Sequence, residues 1–192
     1  MNLTEGMLLY HGIDIVGGKI ANDNTARNLT YIGGVVLEQG EIYEHFLTRV
    51  EEDLSPLGFR RSGKGMLFYR YCADKQVACG IEMQKSGFNY PGSYSFTFNL
   101  VCVSVHCFSP QPKTLTLKHL KSSFYFPRSE RIGSVCRGRD HWWKITEEYL
   151  AEYGLNGYYE RFIQADILKS GEYLNEKAKS KESLVSRTGE SK

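Results

Sequence analysis

The stretch from Tyr94 to Cys107 constrains the fold more than any other segment. Tyr94, Phe96, Phe98, Leu100 and Cys102 fall on one side of an extended chain, and Ser95, Thr97 and Asn99 on the other. That second side turns apolar at Val101, Val103 and Val105. Period-two alternation with such a switch describes a long strand with one covered face in its first half and two in its second.

The flanking segments supply partners for this strand. Glu41 to Leu57 predicts a helix, because Ile42, Phe46, Val50 and Leu54 recur every four residues and Leu47 and Leu57 widen the stripe. Glu44, Arg49, Glu51, Glu52 and Asp53 take its polar face, and Pro56 and Gly58 end it. After the basic turn Arg60–Gly65, Met66–Cys72 and Gln76–Lys85 read as strands joined at Asp74-Lys75. Ser86–Ser93 holds Gly87, Asn89, Pro91 and Gly92 and reads as a loop. Ser109-Pro110-Gln111-Pro112 breaks the long strand, and Leu115 and Leu117 alternate with Thr114, Thr116 and Lys118 as in a further strand over Lys113–Lys121. Thr146–Tyr153 and Leu155–Leu174 read as helices.

The order helix, strands, helices implies an α+β domain: an N-terminal helix on an antiparallel sheet of four or five strands, closed by C-terminal helices on the same face. The domain spans residues 41–174. Residues 1–40, with Gly17-Gly18 and Gly33-Gly34, read as an N-terminal extension, either a short hairpin with strands near Met7–Tyr10 and Tyr31–Leu37 or a loosely held segment; Met7 is a second candidate start. Residues 175–192 are rich in Lys, Glu and Ser and read as a fraying helix that passes into a charged, flexible tail.

Composition excludes little else. With 192 residues, 41% hydrophobic and 24% charged, the chain is long enough for a core and too apolar for wholesale disorder. Its formal charge of +2 argues for neither nucleic acid nor membrane. Five cysteines, an odd number without a C-x-x-C spacing, fit buried free thiols in a reducing compartment. The N-terminus lacks the basic start and apolar run of a signal peptide, and the most apolar stretch, Leu100–Phe108, is far short of the ~20 residues a membrane span needs. A cytoplasmic location without membrane contact is the expectation.

A set of short segments in order carries a family resemblance. Leu57-Gly58-Phe59-Arg60-Arg61, Phe68-Tyr69-Arg70, Gln84-Lys85-Ser86, Phe96-Thr97-Phe98-Asn99-Leu100, Arg131-Ile132-Gly133 and Asp140-His141-Trp142-Trp143 follow the predicted helix. In order and rough spacing the chain resembles the bacterial family called domain of unknown function 4304 over about residues 41–174. The resemblance implies a helix, an antiparallel sheet and C-terminal helices, and it implies no activity. Val101 stands where the family pattern commonly has glycine, which argues against a close backbone approach at that position.

The chemistry-bearing constellations are sparse. Gly12 and Gly17 have the spacing of a phosphate loop, but Gly18 occupies the lysine position and no Ser or Thr follows Lys19. Cys102 and His106 share a strand face without the third ligand a metal site requires, and the remaining histidines are scattered, so no metal or cofactor is expected. No nucleophile motif is present. Arg70, Gln84, Lys85 and Asn99 are candidates for a polar pocket at neighbouring strand ends; the alternative is that Asn99 satisfies backbone groups of the loop Gly87–Ser93. Arg128, Arg131, Arg137 and Arg139, near Tyr125 and ahead of Trp142-Trp143, suit a protein interface, stacking on nucleic acid, or local pairing with Glu130 and Asp140. Adjacent tryptophans cannot both face one core, so one is expected inside and one at a crevice.

Three functions remain on this reading. The favoured one is a cytoplasmic, non-enzymatic binding protein, immunity-like or accessory, whose partner-protein surface comprises Arg131, Arg137, Arg139, Trp142 and Trp143 with Gln84 and Lys85. The others are a nucleic-acid-binding module using the Arg128–Arg139 patch and an enzyme with a polar pocket near Gln84 and Asn99.

Overall fold

The computed structural model describes residues 29–32, 35–90, 92–125 and 129–189. Met7–Tyr10, Met7 as a start and the Gly12/Gly17 spacing lie outside the described residues. Strands β1 (Leu29–Ile32) and β2 (Val35–Glu38) form an antiparallel hairpin beside the domain; the Tyr31–Leu37 patch, expected as one strand, is divided between the two. Helix α1 (Gln39–Leu54) follows, and the Glu38 amide donates to Glu41 Oε2 at 2.9 Å across its first turn. The apolar stripe is as expected: Ile42, Phe46, Leu47, Val50 and Leu54 are buried, together with Tyr43. A 3-10 turn at Ser55–Leu57 ends on Gly58 with φ +84°, a backbone state that glycine adopts without strain.

The sheet is antiparallel throughout, with β3 (Arg60–Arg61), β4 (Leu67–Cys72), β5 (Val77–Lys85) and β6 (Ser93–Ser104) in sequential order. The far edge of β6 is shared: β7 (Glu130–Arg131) pairs at Asn99 and Leu100, and β8 (Trp143–Thr146) pairs from Ser93 to Phe96. The sheet therefore has six strands, where four or five were expected; the two short edge strands are too brief to carry an alternation signal. Helix α3 (Ile132–Arg137), helix α4 (Glu147–Phe162, kinked at Gly154) and helix α5 (Gln164–Gly189) complete the chain.

Parity along β6 decides what each face meets. Tyr94, Phe96, Phe98 and Leu100 pack with Phe46, Val50, Trp143, Tyr159 and Ile163 in the main core between sheet and helices. Phe96 is central, within 6.0 Å of the ring centroids of Tyr43, Phe46, Phe98 and Trp143. On the opposite face Val101 and Val103 join Leu67, Ala78, Leu115 and Leu120 in a second, smaller core. Both faces are thus covered over the second half of β6, as its sequence required.

Two expectations need correction. The second core is capped by a helix, α2 (Leu117–Ser122), where Lys113–Lys121 was expected to be a strand, so the helices are not all on one face. Alternation of Leu115 and Leu117 imitates a strand, but Thr116 Oγ1 accepts from the His119 amide at 3.5 Å and the His119 ring accepts from the Thr116 amide at 3.0 Å, which starts a helical turn. The chain also does not leave the domain at Leu174. Helix α5 runs on to Gly189, burying Ala178 and Val185 on the side that carries Leu174. Lys177 pairs with Glu130 and Asn175 Oδ1 accepts from Arg70 at 2.6 Å.

Among the described residues no helix is long and apolar enough to cross a membrane.

Candidate functional site

The far sheet face is covered by α2 only over its Val101–Val103 half. The rest carries polar side chains of one parity: Glu82 and Gln84 of β5, Asn99 of β6 and Arg131 of β7, with Thr97 of β6 buried beneath the His141 carbonyl. Asn99 Nδ2 donates to Gln84 Oε1 at 2.9 Å across the strands. Phe124, Ser129 and Ser134 wall in a groove of about 440 Å³ together with Gln84, Asn99, Glu130 and Arg131. Tyr125 stands exposed next to Phe124. Phe124 reaches its place because Gly80 has no side chain: a Cβ there would come within 2.9 Å of the Phe124 ring. The close approach on this face is therefore at Gly80, opposite Val101 in the ladder, and not at Val101 itself.

Among the groove's lining residues Arg131 has unspent bonding capacity. Its guanidinium lies 5.0 Å from the centroid of the Trp142 ring. Its Nη1 is buried and has no hydrogen-bond partner among the described residues. Burial pushes the neighbouring Glu82 carboxyl upward, against the attraction of Lys121. His141, whose carbonyl accepts from Thr97 Oγ1 at 2.8 Å, is held below its ordinary value, first by burial and then by Arg137.

Gly133 explains why two distant motifs meet here. A Cβ on Gly133 would sit 2.5 Å from the His141 amide nitrogen and 2.6 Å from the Arg139 carbonyl oxygen. The Gly133 carbonyl accepts from the Arg139 amide at 3.3 Å. The absent side chain lets the Arg139–His141 backbone lie on α3, which sets Trp142 beside Arg131.

Several residues expected at the site are elsewhere. Trp143 is 2% exposed and belongs to the core, so it offers no surface. Trp142 is the half-exposed partner, its Nε1 donating to Asp140 Oδ2 at 3.3 Å. Arg137 is committed to Asp166 at 2.6 Å and to the Phe162 carbonyl at 3.2 Å. Arg139 is exposed, and Arg128 lies outside the described residues. Lys85 is one residue from Gln84 and so on the opposite face, its Nζ 4.1 Å from the centroid of the Tyr43 ring. Arg70 also faces the helices, donating to Leu57 O at 3.1 Å and to Asn175. Only Gln84 and Asn99 of the four pocket candidates line the groove. Asn99 is not bonded to the Gly87–Ser93 loop; there the Phe88 amide donates to Ser86 Oγ at 3.1 Å and the Gly92 amide to Tyr94 Oη at 3.4 Å, while Asn89 of the loop exchanges hydrogen bonds with the Ser95 backbone at 2.7 and 3.2 Å. His106 lies in a 3-10 turn past the end of β6, off the strand face of Cys102. Among the described residues no three His, Cys, Asp or Glu side chains gather as a metal site would require.

Glu82, Phe124, Ser129 and Ser134 were not singled out from sequence. Glu82 had an available signal, since it shares the parity of Gln84. Ser129 and Ser134 lie in irregular or short elements with no periodicity to read.

Residues 50–169 match the family model described as domain of unknown function, DUF4304. The chain belongs to this family. The match lies within the 41–174 span that carried the resemblance, and it contains the whole groove. In this DUF4304 chain, Arg131-Ile132-Gly133 and Asp140–Trp143 are two sides of one contact. Comparison with curated proteins finds no match, and comparison with solved structures finds none either.

Proposed function

We propose that this DUF4304 protein is a cytoplasmic, non-enzymatic binding module that engages a partner protein on the open half of its far sheet face. One observation carries the reading: a half-exposed arginine backed by an indole, at a groove that it lines with the amides of Gln84 and Asn99, the hydroxyls of Ser129 and Ser134, Phe124 and Glu130. Arginine and tryptophan dominate interface hot spots, and the half-exposed Arg131 side chain is open to a carboxylate or carbonyl of a partner. An immunity-like or accessory role is the sharpest form of this proposal, and its partner is sought first among products of neighbouring genes. Titration calorimetry against such a product tests it. Arg131→Glu is expected to weaken binding by roughly tenfold or more, whereas undiminished binding by the folded variant removes this surface.

A second reading, a catalytic pocket, draws support from the groove and from the raised Glu82 carboxyl beside it. Its mark is a small molecule that binds the isolated protein and is lost in Asn99→Ala. The nucleic-acid alternative has less in its favour: Arg137 is paired with Asp166, and Glu82 and Glu130 bring carboxylates to the same region. Binding that falls steeply with salt would restore it.

A further inference from the structure

Away from the groove, two cysteines face each other across the centre of the sheet. Cys79 of β5 and Cys102 of β6 are direct register partners, and their sulfurs are 2.9 Å apart. The rung type follows from the ladder. The Val105 amide donates to Gln76 O at 2.9 Å, which marks Gln76–Val105 as a hydrogen-bonded rung. Rungs alternate, so Cys79–Cys102, three further along, is a non-hydrogen-bonded rung. Opposed Cα atoms on such rungs are about 4.5 Å apart, within the span a disulfide bridges. No backbone movement is needed to bring the sulfurs together.

The two thiols also differ in the way a reacting pair must. Cys79 is 1% exposed and donates to Cys102 Sγ and, at 3.5 Å, to the Leu174 carbonyl of α5. Cys102 is half-exposed. The Cys79 donation, together with Lys181 and Lys177 and against burial and Glu182, holds the Cys102 thiol below its ordinary value. Cys79 is pushed up, first by that same hydrogen bond and then by burial. Cys72, on the same face but one strand over, opposes Val77, and its thiol is raised by burial.

We propose that Cys79 and Cys102 are a modification site at which a peroxide forms a reversible intrachain disulfide. The Cys102 thiol gives up its proton and the thiolate attacks one peroxide oxygen; the O–O bond breaks, and the leaving oxygen takes up that proton and departs as water for hydrogen peroxide, or as the alcohol for an organic peroxide, leaving a sulfenic acid. The Cys79 sulfur then attacks the Cys102 sulfur, the S–O bond breaks, and a second water leaves with the Cys79 proton. Two thiols are oxidised, one peroxide is reduced, and a dithiol reductant reverses the change.

The test treats the full-length protein with hydrogen peroxide, blocks remaining thiols with an alkylating reagent, and maps the peptides by mass spectrometry. The expected result is loss of two of the five thiols, with a Cys79–Cys102 linkage that dithiothreitol removes. Cys79→Ser is expected to leave Cys102 as a sulfenic acid that a 1,3-dione probe captures. If that variant does not fold, the wild-type map still decides. A linkage through Cys72, a disulfide between two chains, sulfinic acid at Cys102 without a linkage, or five unchanged thiols would each overturn the proposal.

Discussion

Trp143 Nε1 donates to the Phe162 carbonyl at 2.6 Å, tying the edge strand β8 to the end of α4. The indole also lies 5.8 Å from Phe96 at an interplanar angle of 22°. Replacing Trp143 by Phe keeps an aromatic ring but removes the donor, and it is expected to cost about 1–3 kcal/mol. Trp142→Phe, at the half-exposed neighbour, is expected to change stability by no more than about 0.5 kcal/mol. Urea denaturation of the two variants checks the contrast, and equal losses would contradict the division of the pair.

Gly133→Ala is expected to disturb the site from outside it. The new methyl meets backbone atoms of His141 and Arg139, which cannot rotate away. Overpacking of this kind costs about 1–3 kcal/mol, occasionally more. A drop in melting temperature accompanied by a changed Trp142 fluorescence spectrum is the expected outcome; the Trp143→Phe background isolates that signal.

Glu82 sets a pH dependence whose sign is fixed. Burial raises its carboxyl above the ordinary 4.5, so the folded protein keeps this proton at pH values where the unfolded chain has lost it. Its contribution makes stability fall as pH rises from 4.5 to the folded value and level off above it. Glu82→Gln removes the penalty. The variant is expected to be more stable than wild type at pH 7, with the difference shrinking toward zero below the ordinary carboxylate value, as read from denaturation midpoints across pH.

Ending the chain at Leu174 removes the buried Ala178 and Val185 side chains, the Asn175 acceptor of Arg70 and the Lys177–Glu130 pair. The truncated protein is expected to lose at least about 2 kcal/mol, from the apolar burial alone. Unchanged thermal unfolding would show that the end of α5 does not contribute to the fold.

The legible part of the fold was the part with strong periodicity. The stripe of α1 and the alternation of β6 are long enough that a wrong register would expose many apolar groups. Helix α2 reads as a strand in sequence because Leu115 and Leu117 alternate, whereas the Thr116–His119 cap that starts the helix at Leu117 is a matter of geometry. The far end of α5 was missed because Ala178 is small and Val185 lies seven residues beyond it among charged residues. At the candidate site, Arg131, Trp142, Gln84 and Asn99 were named from sequence and do gather. Lys85 neighbours Gln84 on one strand, so the parity rule sends it to the opposite face; Arg70 is on another strand, and its face follows from a register, Arg70 opposite Cys79, that sequence does not reveal. Trp143 and Arg137 were counted as surface because sequence does not reveal which indole the core takes or that Asp166 is within reach of Arg137. Arg128 lies outside the described residues.

The partner surface is tested most directly by site-specific photo-crosslinking in the source cell. A photoreactive amino acid is placed at Trp142, and a control copy carries it at Lys179, on exposed α5 away from the groove. The expected result is a discrete protein adduct from position 142 that disappears with Arg131→Glu and does not form from position 179. No protein adduct from 142, or the same adducts from both positions, would contradict a partner-binding groove at Arg131 and Trp142.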